Sequence, residues 1–361
     1  MDIGIFMPTG RRGYLTSATA PLNEPTFALN RDVILAAERY GVDFALSMVK
    51  FRGFGGPSQY WDGSLEPFTL IAALAAVTRR IKLFSTAASL VMPPAVVARM
   101  ASTIDSVAPG RFGLNVITGW QKAEYEQMGL WPGDAHFEQR YDYLDEYVRI
   151  LKDLMSTGTS DLKGKFFTMS DCRLESPPVN PIPLVVAGGS DAGLAFAARH
   201  CDYNFCAAPD AINTPGICVA PVGRLAAAAA REGREVKALI LVSVIADETD
   251  AGAMAKWEHY KAGTDLVALG WARQQAATDV TTRDPFSTKQ RRMPAGEPTP
   301  TTAMKLIGSY ATIAALLDDI AGIPGLQGVM LSFDDFRSGI EQFGQYIQPR
   351  MRSRAGAPTA A

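Results

Sequence analysis

Short apolar runs rich in β-branched residues recur along the chain, and the segments between them carry apolar residues at helical spacing. Eight runs predict β-strands, at residues 3–7, 44–47, 81–87, 112–117, 184–187, 203–206, 239–245 and 328–332. Helices are predicted between them at residues 30–40, 94–106, 141–155, 191–200 and 310–320. Strands that alternate with helices in this way indicate an α/β fold, a (β/α)8 TIM barrel, as one domain over residues 1–352.

Two intervals between predicted strands are much longer than one helix with short loops requires, so insertions are expected after strands 4 and 7. The second insertion, residues 265–303, is rich in Thr, Pro, Gln and Arg and contains the basic group Lys289, Arg291 and Arg292. This composition predicts a mobile loop or lid, and the alternative is an excursion without function. Residues 353–361 are predicted to be a frayed tail.

Composition and charge narrow the class of protein. The chain has 47% hydrophobic and 20% charged residues and a formal net charge of -2, which gives no sign of nucleic-acid binding. Four cysteines without a C-x-x-C pair, and no basic and apolar leader, predict a reduced, cytoplasmic protein. The longest apolar stretch, residues 67–78, ends at Arg79 and falls short of the ~20 residues that span a bilayer, so no membrane role is expected.

Several familiar kinds of site find no support in the sequence. No G-x-G-x-x-G follows the first predicted strand, and no complete P-loop is present, which disfavours bound nicotinamide or ATP. Three scattered histidines without H-E-x-x-H predict no metal site. The serine-hydrolase motif G-x-S-x-G is also missing from the sequence.

Polar side chains gather where the fourth predicted strand ends. The segment FGLNVITGWQKAEYEQMGLWPGDAHFEQR, residues 112–140, leaves an apolar run at Asn115 and becomes dense in Asn, Thr, Trp, Lys and Glu. Reactive groups of a parallel barrel come from strand ends and the loops that follow them. Asn115, Thr118 and Trp120 are therefore the first candidates for an active site.

A second candidate site follows the fifth predicted strand. Gly188, Gly189 and Ser190 precede a helix that is predicted to begin at Asp191, so Ser190 is expected to be the N-cap and the glycines expose backbone N–H groups. A phosphate would fit there with help from Arg140, although Ser190 could equally be an ordinary helix cap. A barrel with a phosphate site, and without dinucleotide glycines or metal ligands, suits flavin mononucleotide.

Longer runs carry a resemblance to a known family. The chain resembles the bacterial luciferase-like flavin monooxygenases, and within them the subfamily that acts on pyrimidines. The resemblance covers almost the whole chain and is carried by ALSMVKFRGFGG (45–56), STAASL (85–90), PPAVVARMASTIDS (93–106), NVITGWQKAEYEQMGLWPGD (115–134), RYDYLDEYV (140–148), AGGSDAG (187–193), ADETDAGAMAKWEHYKAG (246–263) and SFDDF (332–336).

The resemblance implies roles for individual residues. It places catalytic groups at Asn115, Thr86 and Lys50, where Thr86 helps Asn115 to hold oxygen near the flavin. It assigns contacts with FMN to Val49, Lys50, Asn115, Glu124, Arg140, Tyr141, Gly189 and Ser190. Met48, Trp120 and Phe205 are expected to bind the substrate. Trp120 and Phe205 are planar side chains near strand ends that can stack on a heterocycle, and Met48 can pack against the ring system. Without the resemblance, Lys50 would be interpreted as a surface lysine and Asn115 as a residue that forms a turn. Trp120 and Phe205 would be interpreted as aromatic residues of the core.

The activity that the resemblance implies is opening of the uracil or thymine ring between N3 and C4, which yields ureidoacrylate peracid or ureidoacrylate. Reduced FMN and O2 would be required, a separate NAD(P)H:flavin reductase would supply the flavin, and relatives suggest a homo-oligomer. An alternative is a related two-component enzyme that acts on another cyclic amide, heterocycle, sulfone or sulfonate. A deazaflavin-dependent dehydrogenase and a flavin-binding barrel without catalysis are further alternatives.

One departure from the subfamily concerns two loops. The first loop reads Gly10-Arg11-Arg12-Gly13 where the subfamily typically reads Gly-Asn-Asn-Gly, and the loop after Phe205, residues 206–210, is less aromatic than in the subfamily. Two arginines at the mouth of a pocket would favour an anionic or larger substrate. Alternatively, they lie on the surface and have no influence on the substrate.

Overall fold

The structure is a computed structural model that describes residues 1–293 and 296–356. Its strands are β1 (Asp2–Phe6), β2 (Phe44–Ser47), β3 (Lys82–Ala88), β4 (Phe112–Ile117), β5 (Thr159–Ser160), β6 (Cys172–Arg173), β7 (Leu184–Val186), β8 (Tyr203–Cys206), β9 (Lys237–Asp247), β10 (Met304–Ser309) and β11 (Leu326–Phe333). Its α-helices are α1 (Phe27–Arg39), α2 (Pro67–Val77), α3 (Pro94–Val107), α4 (Lys122–Glu126), α5 (His136–Thr157), α6 (Asp191–His200), α7 (Val219–Arg231), α8 (Asp250–Ala262), α9 (Leu266–Ala277), α10 (Thr288–Arg292), α11 (Tyr310–Ala321) and α12 (Phe336–Gln342). Shorter helical turns lie at Pro215–Cys218, Phe343–Ile347, Gln348–Arg350 and Arg352–Arg354.

Eight parallel strands close into a barrel. The pairing runs from β1 through β2, β3, β4, β7, β8, β9 and β11 and returns to β1. All eight predicted strands are present, and the predicted helices correspond to α1, α3, α5, α6 and α11. The (β/α)8 fold is therefore confirmed, with insertions after its fourth and seventh strands.

A ninth parallel strand, β10, was not predicted. It pairs with Val242–Asp247 in the second half of β9, whereas β8 pairs with the first half of β9 from Lys237 to Ile240. Its sequence, MKLIGS, contains a lysine and a glycine, which weaken a strand pattern. Lys305 is nevertheless buried, and its ammonium group forms an ion pair with Asp210 in the loop after β8.

Helix starts agree with local capping chemistry. In eight helices the residue before the first turn accepts hydrogen bonds from backbone N–H groups of that turn, which stabilises each helix by about 1 kcal/mol. These caps are Thr26, Glu66, Ser190, Thr249, Asp265, Ser287, Ser309 and Asp335. Among the described residues, no helix combines the length and the apolar character needed to cross a membrane.

The lower half of the barrel interior, towards the amino ends of the strands, is an apolar core. We call this the lower core: Phe44, Leu46, Phe84, Val185, Phe205, Leu239 and Met330. A Cβ atom at Gly113 would lie 2.2 Å from the Phe84 ring, and one at Gly4 would lie 2.2 Å from the Phe44 ring. Glycine at these two positions therefore makes room for the rings that fill the barrel.

The second insertion begins with α9 and continues into the short helix α10. Residues 294 and 295, within that insertion, and residues 357–361, within the predicted tail, lie outside the described residues. Part of the predicted tail is bonded to the barrel. The backbone N–H of Ser353 donates to Asp318, and the guanidinium of Arg354 pairs with Asp43 at 2.7 Å.

Candidate active site

The candidate residues lie at the carboxyl ends of neighbouring barrel strands. Lys50 follows β2, Thr86 lies in β3, Asn115 lies in β4, and Ser190 follows β7. The strand order β2-β3-β4-β7 brings these ends side by side. This is the end at which barrel enzymes place their reactive groups.

Asn115 and Thr86 form a hydrogen-bonded pair. They are direct partners in the β3–β4 register, and Asn115 Nδ2 lies 3.1 Å from Thr86 Oγ1. The Thr86 hydroxyl donates its single proton to the Ser47 carbonyl at 2.7 Å, so it accepts from Asn115. These two hydrogen bonds engage one N–H of the Asn115 amide and leave the other for a ligand. Asn115 Oδ1 is buried and has no partner among the described residues.

Lys50 is a buried cation with a fixed orientation. Its Nζ donates to Glu124 Oε2 at 2.9 Å and to Gln121 Oε1, and the side chains of Lys50 and Glu124 are only 4% and 7% exposed. Glu124 Oε1 accepts from the Phe51 backbone at 2.6 Å, so both carboxylate oxygens are engaged within the protein. Two of the three Lys50 protons are bonded, and the third remains for a ligand.

The environment of Lys50 also alters its acidity. Burial lowers the pKa of Lys50, and the attraction of Glu124 opposes this effect in part. The Arg292 guanidinium lowers the pKa of Lys50 further. Lys50 is therefore a stronger proton donor than a surface lysine, while Glu124 keeps its charge compensated.

Thr118 contributes its backbone. Its carbonyl accepts a hydrogen bond from His136 Nε2 at 2.7 Å, which ties the loop after β4 to the start of α5. Burial lowers the pKa of His136, and hydrogen bonds to the Thr118 and Gly119 backbone oppose that shift. His136 was not among the predicted residues, because a lone histidine at a helix start carries no sequence signal for a loop contact.

Gly188, Gly189 and Ser190 form a narrow turn at the start of α6. Ser190 is the N-cap as predicted, and its hydroxyl accepts from the Gly193 backbone at 3.2 Å. A Cβ atom at Gly188 would lie 2.8 Å from Gly193 Cα and 3.1 Å from the Tyr141 hydroxyl. The glycines thus allow the Tyr141 hydroxyl to approach this turn closely.

Arg140 links this turn to the second insertion. Its guanidinium donates to Asp279 at 3.2 Å and to Thr282 at 3.0 Å, both of which lie after α9. The same insertion reaches α6, since the Asp191 backbone donates to Asp284 at 2.7 Å. A Cβ atom at Gly189 would lie 2.8 Å from the Phe286 carbonyl oxygen. The second insertion therefore lies directly against the predicted phosphate site.

Aromatic rings lie next to Lys50 in the site. We call Phe54, Tyr60, Trp61 and Trp120 the aromatic cluster: Phe54 stacks on Trp120 at 6.3 Å and on Tyr60 at 5.9 Å, and Tyr60 stacks on Trp61 at 4.7 Å. Lys50 Nζ lies 5.5 Å from the Trp120 ring centre. Phe54, Tyr60 and Trp61 were not predicted, although RGFGG, two residues after Lys50, was a signal for a loop at the site.

The predicted substrate-binding residues divide between two places. Met48 lies beside the aromatic cluster, since a Cβ atom at Gly10 would be 2.5 Å from Met48 Cε and 2.7 Å from Trp61 Cδ1. Phe205 instead belongs to the lower core and lines a small cavity of about 30 Å³ there. The structure thus brings Met48 and Trp120 together but not Phe205.

Val49, Arg11 and Arg12 have side chains that contact other parts of the protein. The Val49 side chain belongs to a small apolar cluster with Ala88 and Tyr125, which leaves its backbone for a cofactor contact. Arg12 donates to the carbonyls of Ala20 at 2.7 Å and Ser58 at 3.2 Å. Arg11 forms an ion pair with Glu24 at 3.1 Å. The two guanidinium groups therefore bond within the surface loops, and Gly10 is the part of this loop that borders the site.

These features fit an FMN molecule. The unpartnered Asn115 Oδ1 can accept from an N–H of a flavin ring, and the glycine turn with Arg140 and Tyr141 can hold a phosphate. Within the described part of the chain, no group of three His, Cys, Asp or Glu residues could hold a metal ion.

Comparisons with known proteins agree with this geometry. Residues 1–325 match the family model described as luciferase-like monooxygenase. The chain is 55% identical over 358 residues to "Pyrimidine monooxygenase RutA" of Yersinia enterocolitica, with 98% of this chain and 96% of the relative covered. It is 54% identical to the protein of the same name from Escherichia coli K12, with 99% and 93% covered.

Solved structures with low sequence identity share the fold. A riboflavin lyase, RcaE, superposes with a TM-score of 0.81 at 19% identity and covers 100% of this chain and 94% of its own. The long-chain alkane monooxygenase LadA gives a TM-score of 0.80 at 19% identity, with 98% and 92% covered. On the family match and the full-length relatives, the chain belongs to the luciferase-like monooxygenase family.

Proposed function

We propose that this protein is a reduced-FMN-dependent monooxygenase that opens the uracil or thymine ring between N3 and C4 with O2, giving ureidoacrylate peracid or ureidoacrylate. The observation that carries the proposal is the buried Asn115–Thr86 pair, with an unpartnered amide oxygen, beside the buried Lys50–Glu124 pair. The pyrimidine monooxygenases cover almost the whole chain at more than half identity, which supports this substrate class.

The chain offers distinct groups for the two ends of FMN. Arg140, Tyr141, Gly189 and Ser190 would hold the phosphate at the amino end of α6, where backbone N–H groups and the helix dipole favour an anion. Asn115, Lys50 and the Val49 backbone would bind the ring system, and Glu124 would act by orienting Lys50. Reduced FMN, when bound, supplies the electrons with which O2 is activated.

The residues of the site provide fixed donors for the reaction. The free Asn115 N–H and the third Lys50 N–H can stabilise negative charge on oxygen, and both side chains are held in place before the substrate arrives. Such preorganised donors are worth more in a buried site than in water. Met48 and Trp120 provide an apolar and aromatic surface on which a pyrimidine ring can stack.

The second insertion, residues 265–303, would exclude water from the reaction. Its contacts with Arg140, Gly189 and Asp191 lie against the predicted phosphate site, and α10 reaches the aromatic cluster. Exclusion of water strengthens every electrostatic interaction inside the site. Its mobility, as a lid that opens for the flavin, is part of the proposal.

Further parts of the proposal concern partners and location. A separate NAD(P)H:flavin reductase would supply reduced FMN, and the protein would be a cytoplasmic homo-oligomer built from one domain, residues 1–352. The four cysteines, all unpaired in the structure, agree with a reducing compartment.

The test is an aerobic reaction of the purified protein with enzymatically reduced FMN and uracil. Catalase removes free peroxide, and oxygen uptake and product mass are followed together. A ring-opened product with the mass of ureidoacrylate or its peracid is expected. Because free reduced FMN itself reacts with O2, the same mixture without protein is the control. An oxygenated product from another heterocycle, sulfone or sulfonate, without loss of uracil, would move the activity to that substrate. Absence of any oxygenated product, with oxygen uptake equal to that of the mixture without protein, would overturn the monooxygenase proposal.

A further inference from the structure

Arg292, the last residue of α10, lies over the aromatic cluster. Its guanidinium carbon is 5.4 Å from the Trp120 ring centre, 5.7 Å from Phe54 and 5.9 Å from Trp61. Lys50 Nζ approaches two of the same rings, at 5.0 Å from Phe54 and 5.5 Å from Trp120. The second insertion thus carries a cation from outside the barrel to the aromatic cluster.

Arg292 differs from the neighbouring cations in its bonding. Arg140 pairs with Asp279, Lys50 pairs with Glu124, and Arg291 donates to Thr288 at 3.3 Å. The guanidinium of Arg292 has no hydrogen bond and no carboxylate within ion-pair distance among residues 1–293 and 296–356. Arg292 is half-buried, and burial lowers the pKa of its guanidinium.

Docking of the second insertion does not explain the position of Arg292. The insertion is held against the barrel by Asp279, which pairs with Arg140 at 3.2 Å, and by Asp284, which accepts from the Asp191 backbone. Ser287 caps α10 by accepting from the Gln290 backbone. The guanidinium of Arg292 contributes only ring contacts, so its N–H donors are available to a ligand.

The shape and charge around Arg292 indicate the chemical class of ligand that could bind there. Lys50 and Arg292 bring two positive charges and Glu124 brings one negative charge, so the local excess is positive. A guanidinium presents its N–H groups in a planar fork that matches oxygen acceptors, and the rings around it favour a flat partner. A planar heterocycle with carbonyl oxygens on its edge satisfies both conditions.

We propose that Arg292 is a substrate-binding residue, which the second insertion carries into the site, and that its N–H groups donate to a carbonyl oxygen of the pyrimidine while the ring stacks on the aromatic cluster. This inference rests on the proposed function, because it names a contact with the substrate of that reaction. It assigns to the insertion a direct part in substrate recognition in addition to the exclusion of water.

The inference is tested by binding of labelled uracil to the protein loaded with oxidised FMN, measured by equilibrium dialysis. Arg292→Gln should weaken uracil binding roughly 10- to 100-fold, as expected for loss of a charged hydrogen-bond donor, and should leave FMN affinity within about twofold. Arg292→Lys should recover part of the affinity, since it keeps the charge but not the planar fork. Arg52→Gln is the matched control, because the exposed Arg52 also lies over a ring, that of Trp271 at 5.1 Å, and should bind uracil like the unaltered protein.

The outcomes separate the inference from the function on which it rests. If the unaltered protein and Arg292→Gln bind uracil equally, the assignment of Arg292 is wrong and the proposed function stands. If Arg292→Gln loses FMN rather than uracil, the residue serves the cofactor and the assignment is again wrong. If the unaltered protein binds no uracil, the proposed function fails and the inference with it.

Discussion

The two halves of the barrel interior differ in the side chains that they bury: one is apolar and the other is polar. The lower core consists of apolar side chains in mutual contact, and glycines at positions 4 and 113 make room for two of its rings. The upper half, at the carboxyl ends of the same strands, buries Lys50, Thr86, Asn115 and Glu124. Among the described residues, Asn115 Oδ1 there has no hydrogen-bond partner, and the guanidinium of Arg292 lies over aromatic rings without an ion pair.

The difference shows that the lower core stabilises the fold, whereas the upper half carries the groups that would bind ligands. Packing in the lower core, whose members are all apolar side chains, stabilises the barrel through buried apolar area. The upper half keeps polar groups away from water without full compensation, which costs stability until a ligand supplies the missing bonds. Substitutions in the two halves should therefore affect different measurements.

The largest effect on stability is expected from Phe84→Ala in the lower core. Removal of this buried ring should lower the free energy of unfolding by about 3–5 kcal/mol, because the surrounding strands cannot close the cavity. Chemical denaturation measures the change. FMN affinity of the protein that remains folded should stay within a few-fold, and a selective loss of FMN binding would contradict the separation of the two halves.

Asn115→Ala, unlike Phe84→Ala, should lower turnover and leave the stability of the fold nearly unchanged. Loss of this donor should reduce the rate of uracil opening about 100- to 1000-fold, whereas FMN still binds and unfolding changes little. Ser85→Ala is the matched control, since the Ser85 hydroxyl is also buried without a partner in the described part of the chain but lies on the other face of β3. Turnover by Asn115→Ala at the unaltered rate would show that this amide takes no part in the reaction.

A smaller effect is expected from His136, which supports the loop that carries Trp120. Burial lowers its pKa below the ordinary value near 6.5, so between the two values the unfolded chain binds a proton that the folded chain does not. Stability should therefore be fully present above about pH 6.5 and fall as the pH is lowered below that value. His136→Gln should flatten this acid limb in denaturation series between pH 7.5 and 5.5. An unchanged slope would exclude His136 as its cause, and His200, whose pKa burial also lowers, would be tested next.

The smallest effect is expected at Arg11 in the first loop. Its pair with Glu24 is partly exposed, so Arg11→Ala should change the free energy of unfolding by less than about 1 kcal/mol. The Michaelis constant for uracil should not change, because the guanidinium bonds to Glu24 and Gln59, neither of which is a predicted site residue. A marked change in substrate preference would instead place this loop in the site.

The sequence predicted much of the scaffold, because its signals are local. Period and composition identified all eight barrel strands, and the Gly-Gly-Ser turn before α6 indicated the cap at Ser190. The polar segment that begins in β4 led to Asn115, which lies in the carboxyl half of that strand. The strand β10 escaped prediction, since its buried lysine is intelligible only once Asp210 is known to lie beside it.

Amino-acid order alone thus determined the barrel, its insertions and the family, because hydrophobic period, turn chemistry and long shared runs are properties of neighbouring residues. Only the tertiary structure decided which distant groups meet. It paired Lys50 with Glu124, Arg140 with Asp279, and Arg292 with the rings of Phe54 and Trp120, and it placed Phe205 in the lower core. Such contacts depend on how the strands close and how the second insertion folds back over them, and no local pattern encodes the distance between residues so far apart in the chain.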